Sequence, residues 1–259
     1  MIESDPYRDK KTLGVSDVVH AHFVLADFFD DIGEGMSTPG LRSIDLLQSA
    51  VARQVVGMGG GILKYQDNCD IAATLFYGIV KNHAFIDANK RTALLCLILH
   101  LQRFRRRLSI SMHSLEEFTV DVAESKSLGE GGDVSLDQDA YVFNIGKFIR
   151  ENSVKCDRIS PTITYRQLET ILFGFGYCID NSKSNFADIR DIKSGKRMCQ
   201  IAFPSWAKQV PRNTIVEIRK RCSLNYINSV TDEEFFKGIR DADILTAKYQ
   251  EPLRRLADR

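Results

Sequence analysis

The chain has 259 residues, 44% of them hydrophobic and 27% charged, which is ordinary for a globular protein that buries one large or two modest cores. Its net charge of +1 excludes a global pull towards nucleic acid or a membrane surface, so such binding would have to come from a local patch. No run reaches the roughly 18 apolar residues of a membrane span, and "MIESDPYRDKK" carries no apolar leader core, so the expectation is a cytoplasmic protein with no membrane contact.

The first half reads as helical. In "VSDVVHAHFVLADFF" (15–29), Val18, Val19, His22, Phe23 and Ala26 are expected on one face of an amphipathic helix. "STPGLR" is a turn, and Ser43 is the expected N-cap of "IDLLQSAVARQ". The glycine-rich "GMGGGILKY" (57–65) reads as a mobile loop. It is no P-loop, because no Gly-Lys-Ser/Thr follows.

"DIAATLFYGIVKN" (70–82) places Ile71, Leu75, Phe76, Ile79 and Val80 on one core face. The next helix, about 91–104, is apolar nearly all round and reads as the buried centre of a bundle. Two more helices are expected at 114–126 and 140–152, with a glycine-rich joint between them at 127–138.

A change of pattern at 153–161 marks the expected domain boundary. Beyond it "TYRQLETILFGFGY" is a helix, followed by strands in "YCID", "NFADIRDI" and "RMCQIAFP" and the basic helix "RNTIVEIRKRC". The fold class expected is mainly α, with a small C-terminal α+β domain of α-β-β-β-α order. Its parts would be a helical domain at 12–152, the α+β domain at 162–224 and a helical tail at 225–259, kinked or stopped near Pro252. The six cysteines, Cys69, Cys96, Cys156, Cys178, Cys199 and Cys222, are dispersed and form no CxxC pair, as expected of reduced thiols.

The stretch "NHAFIDANKRTALL" (82–95) crowds polar residues against a buried helix, which is costly unless they have partners. Singly, Asp87 or Asn89 reads as an N-cap, His83 as a helix-end residue and Lys90–Arg91 as a solvated face. Together they make a different set. His83 offers a base near neutral pH, Asp87 a magnesium ligand, Phe85 an apolar pin, and Lys90 and Arg91 two cations. Residues 87–91 enter the next helix at its N-terminus, where N–H groups and dipole favour an anion. That combination points to phosphoryl or nucleotidyl transfer.

"HAFIDANKRTAL" resembles the signature of the Fic/Doc superfamily, and within it the Doc (death-on-curing) toxins. The wider Fic pattern, HPFxxGNGRxxR, has glycine where this chain has Ala88 and Lys90, and a second arginine at Leu94. "GLRSIDLLQSAVARQ" resembles the segment before the target-docking flap of Doc proteins, and "GMGGGILKY" sits where that flap would be.

The resemblance implies transfer of the γ-phosphate of ATP to a protein hydroxyl, with elongation factor Tu as the family's target. His83 would be the base, Asp87 the Mg2+ ligand, and Ala88, Asn89, Lys90 and Arg91 the phosphate cradle. AMP transfer is the alternative within the family. The chain has no [ST]xxxE[GN] inhibitory motif, so control by a separate antitoxin is expected. Outside catalysis, the alternative is a Fic fold that binds nucleotide or RNA-associated partners without turnover.

The C-terminal order weakly resembles the HicA fold, related to double-stranded-RNA-binding domains. HicA enzymes need a histidine, and all five here (His20, His22, His83, His100, His113) precede residue 114, which excludes a histidine-dependent nuclease there. Lys208, Arg212, Arg219, Lys220 and Arg221 remain as a candidate RNA contact, against the plainer reading of a solvated helix face.

Overall fold

The structure is a computed structural model that describes residues 5–36, 38–126, 128, 137–156, 161–183, 185–225, 230, 232–238 and 249–257. The expected joint at 127–138 lies almost wholly outside them. The chain divides into two compact units, Met1–Cys156 together with Ala242–Arg259, and Asp157–Asp241.

The first unit is a helical bundle. Its helices are α1 (Val15–Asp31), α2 (Ile44–Ala52), α3 (Asn68–Asn82), α4 (Asn89–Arg103), α5 (Met112–Glu124) and α6 (Gln138–Glu151). Ser43 caps α2 by accepting the Leu46 N–H (3.3 Å), as its position predicts. On α1 the buried face is Val18, Ala21, His22, Leu25, Ala26 and Phe29, while Phe23 is 45% exposed. Phe23 is five residues past Val18, about 140° round the helix, so it cannot share that face.

The predicted central helix α4 is buried, but it has a partner. On α3 every residue from Cys69 to Val80 is buried, so the single core face expected there is corrected to burial all round. Glycine makes this possible: a Cβ on Gly78 would come within 2.9 Å of the Ala50 Cβ, and one on Gly146 within 2.0 Å of the Asp70 Oδ1. Helices α2 and α6 can therefore close onto α3 at backbone distance. Buried Asp70 is matched by Arg150 (3.0 Å).

Two features of this unit were not expected. The short strands β1 (Arg106–Leu108) and β2 (Ser153–Lys155) pair antiparallel, so residues 153–155 continue the first unit. The end of the chain, read from sequence as a helical tail of its own, also belongs here: α10 (Gln250–Arg255) packs on α5, and Leu253 and Leu256 join the core. Pro252 sits in the first turn of that helix, where its missing N–H is no loss.

The glycine-rich segment forms a tight hairpin, with Gly57 bridged to Leu63 and the Met58 N–H donating to Ile62 C=O (2.8 Å). Gly59, Gly60 and Gly61 all have positive φ (94°, 61° and 78°), a turn that residues with a Cβ would resist. Lys64 and Tyr65, at its base, both reach Asp139 on α6.

The second unit has the predicted order: α7 (Tyr165–Gly174), β3 (Tyr177–Lys183), β4 (Phe186–Asp191), β5 (Arg197–Ala202) and α8 (Arg212–Arg221), then α9 (Asp232–Lys237). The sheet is antiparallel in the order β3-β4-β5, and Gly195 (φ 67°) turns the hairpin between β4 and β5. Its separate core holds Leu168, Leu172, Ala187, Ile189, Ile218 and Phe235.

Candidate functional site

The site begins as a backbone reversal between the two buried helices. His83 ends α3 in the left-handed region (φ 49°, ψ 48°), and Ala88 opens α4 in the same region (φ 59°, ψ 26°). Left-handed backbone costs an L-residue with a Cβ roughly 1–2 kcal/mol, so the surroundings must hold these angles in place.

Three sets of contacts do so. Asn89 forks back onto Phe85, accepting its N–H and donating to its C=O, both at 2.9 Å. The Phe85 ring is fully buried and stacks on His22 (centroids 4.1 Å apart, 15° between planes). Residues 40–42, expected as part of a plain turn, pair with the loop in strand fashion: Leu41 bridges Phe85, the Ile86 N–H donates to Gly40 C=O (3.0 Å), and the Arg42 N–H donates to Ala84 C=O (2.8 Å).

His22 is the buried support of this assembly. Its Nε2 accepts the Gly40 N–H (3.0 Å), so the neutral ring carries its proton on Nδ1 and donates to Thr92 Oγ1 (3.0 Å). Burial pushes the imidazole pKa down to about 4, with the Asp87 charge opposing that fall and the Arg91 charge adding to it.

Above the loop is a cavity of about 360 Å³. His83, Asp87, Ala88, Asn89, Lys90 and Arg91 all line it, so the residues singled out from sequence meet on one concave surface. The N–H groups of the first turn of α4 lie ahead of its first i→i−4 bond, from Thr92 to Ala88 (2.8 Å), which makes this end of the cavity electropositive.

The members differ in access. His83 is exposed and Lys90 half-buried. The Arg91 side chain is only 4% exposed, lies 3.6 Å from Asp87 Oδ2 and covers the Phe29 ring at 5.3 Å. Two of the residues assigned to the phosphate cradle therefore also hold the loop: Asn89 by its side-chain fork, and Arg91 by fixing Asp87.

The Asp87 carboxylate accepts the Ala88 N–H, and its side chain is 33% exposed towards the cavity. Among the described residues no three His, Cys, Asp or Glu side chains form a metal cage. One accessible carboxylate beside an anion site does fit magnesium, which takes few protein ligands and completes its shell with phosphate oxygens and water.

The sequence reading missed the rest of the cavity wall. Arg42 lines it and donates from Nη2 to Ile86 C=O (3.2 Å), and Val120, Ala123 and Glu124 of α5 line it from another side. Leu256 and Ala257, past the end of α10, complete it. The only signal for Arg42 is its place just before the Ser43 cap; the others lie too far along the chain to leave one.

In the second unit two of the candidate RNA-binding arginines have other partners. Arg219 pairs with Asp232, both largely buried, donates to the carbonyls of Leu224 (2.8 Å) and Val230 (3.0 Å), and covers the Phe235 ring. Arg221 pairs with Glu217 one turn back.

Compared with known families, residues 12–101 match the model of the Fic/DOC family, a span that runs from α1 through α4 and contains the whole reversal loop. No curated protein matches the chain.

Proposed function

We propose that the first unit is a Fic/Doc-type transferase that moves the γ-phosphoryl group of ATP to a protein hydroxyl. One observation carries this reading: a base, a magnesium-type carboxylate, a lysine and a helix N-terminus converge on a single cavity. The family match over 12–101 supports the transferase class.

In this reading the triphosphate lies along the first turn of α4, with Lys90 and Arg42 as its accessible cations. Asp87 would hold Mg2+ together with the phosphate oxygens, and the metal would neutralise charge on the phosphates. His83 takes the proton of the incoming hydroxyl, the hydroxyl oxygen bonds to the γ-phosphorus, and the bond to the β,γ-bridging oxygen breaks to release ADP. Arg91 keeps Asp87 aimed at the cavity.

The choice of γ- over α-phosphate rests on Lys90 and Leu94. Leu94, where the Fic pattern has its second arginine, is fully buried and does not line the cavity, so no cation enters from that position. The protein substrate to try first is an elongation-factor-Tu-like translation factor. Control would come from a separate antitoxin.

The test uses the full chain, Mg2+, a cell lysate and ATP labelled at either the α- or the γ-phosphate. Protein labelled only from γ-ATP, and lost in His83→Ala by about 10²–10⁴-fold, is the expected result. Label from α-ATP alone would make the protein a nucleotidyltransferase. Nucleotide binding without transfer would make it a binding protein.

A further inference from the structure

Besides the electropositive end, the cavity has a mainly apolar lining, Val80, Val120, Ala123, Leu256 and Ala257, beside the one acidic residue of α5 that reaches it, Glu124. A site for phosphate alone would have no use for such a wall, whereas a ligand with a charged end and a ring system would. On the reading that the cavity holds a nucleotide, we propose that the C-terminal segment Tyr249–Ala257 is part of the binding site and supplies the wall for the nucleoside. The phosphates lie at α4 and the base and sugar lie against Val120, Ala123, Leu256 and Ala257.

The segment is built as a fixed wall. Tyr249, Leu253 and Leu256 are buried in the core of the first unit. Arg254 lies 3.6 Å from Glu34, and Arg255 lies 3.7 Å from Glu116. Leu256 is 2% exposed, so it is packed in place and does not protrude as a plug. Ala257 follows it and is exposed, which leaves its methyl group free of the core.

In chain order this wall arrives only after the whole second unit, residues 157–241, has been made. The site is therefore assembled from both ends of the first unit's sequence. A protein cut after residue 156 would keep every residue of the reversal loop and still lack one side of its pocket.

The experiment measures binding of ATP and of inorganic tripolyphosphate to the full chain by calorimetry. Both probes share the phosphate end, and only ATP has a nucleoside. Ala257→Trp puts an indole into the wall, and should raise the Kd for ATP about tenfold or more while leaving that for tripolyphosphate within about twofold. Lys90→Ala should weaken both.

If Ala257→Trp lowers the melting temperature, the smaller Ala257→Leu repeats the measurement with the same expected pattern. Unchanged ATP affinity in a folded variant would overturn the proposal, as would an equal loss for both probes. A wild-type chain that binds neither probe would overturn the nucleotide reading itself, and this proposal with it.

Discussion

Two basic stretches, Lys90–Arg91 in the first unit and Arg219–Lys220–Arg221 in the second, look alike in sequence and are used differently. The first opens a helix at the bottom of a cavity, so its lysine, the helix N-terminus and Asp87 share one space. The second closes a helix, where cations suit the dipole. There Arg219 turns inward to Asp232 and Phe235, and Arg221 turns along the helix to Glu217. A charge run does not define a site; convergence on a concave surface does.

The contrast is broken most severely by removing one residue from the cavity that holds the first stretch and one from the second stretch itself. His83→Ala should abolish transfer, as above, without lowering the melting temperature, because the side chain is exposed. Arg219→Ala should do the reverse. It takes the guanidinium away from the buried Asp232 carboxylate, which costs up to about 3–5 kcal/mol, and should not change ATP binding. Scanning calorimetry of the full chain would show it as a lowered transition of one unit. The double variant Arg219→Met with Asp232→Leu should recover most of the loss, since it removes both charges together. Arg219→Ala with unchanged melting would mean that the pair does no structural work.

Acid should separate the units next. His22 and His100 are buried neutral in the first unit, with burial holding their pKa values at about 4 and about 3. The unfolded chain takes up these protons near pH 6.5 and the folded chain does not, so the stabilisation is complete above pH 6.5 and falls as pH drops towards 4. For each histidine the loss over that interval is of the order of 2–3 kcal/mol. The second unit contains no histidine at all. Melting followed from pH 7 to pH 4.5 should show the first unit's transition falling faster, and His22→Gln should flatten that slope. Equal slopes would mean that the two rings are protonated in the folded state.

Periodicity and glycine placement carried the sequence reading a long way. The helix order of the first unit, the Ser43 cap and the α-β-β-β-α order all follow from local patterns, which need only near neighbours. The reversal loop stood out because its polar residues, which line one cavity, are packed into nine positions. What could not be read depends on distance along the chain: Arg42 reaching Ile86, His22 supporting Phe85, and Leu256 completing a wall begun by Val120. Burial of α3 on every side was hidden for a different reason. Asp70 breaks its apolar pattern, and only the approach of Arg150 shows why that aspartate can be inside.

The smallest expected effect concerns backbone strain, and it tests whether the loop is held by its surroundings. Ala88 in the first unit and Ser223 in the second both sit at φ near 58°. Glycine relieves that conformation and loses part of the gain to the greater freedom of the unfolded chain, leaving about 0.5–1 kcal/mol of stabilisation. Ala88→Gly and Ser223→Gly should therefore raise the two transitions by similar amounts. Only the first lines the cavity, so only Ala88→Gly should alter the affinity for ATP, and the shift should be small because the Asn89 fork and the His22–Phe85 stack hold the loop independently of residue 88. A large loss of affinity would mean that the Ala88 methyl group itself shapes the phosphate end, and that the left-handed angle is kept for the ligand and not for the fold.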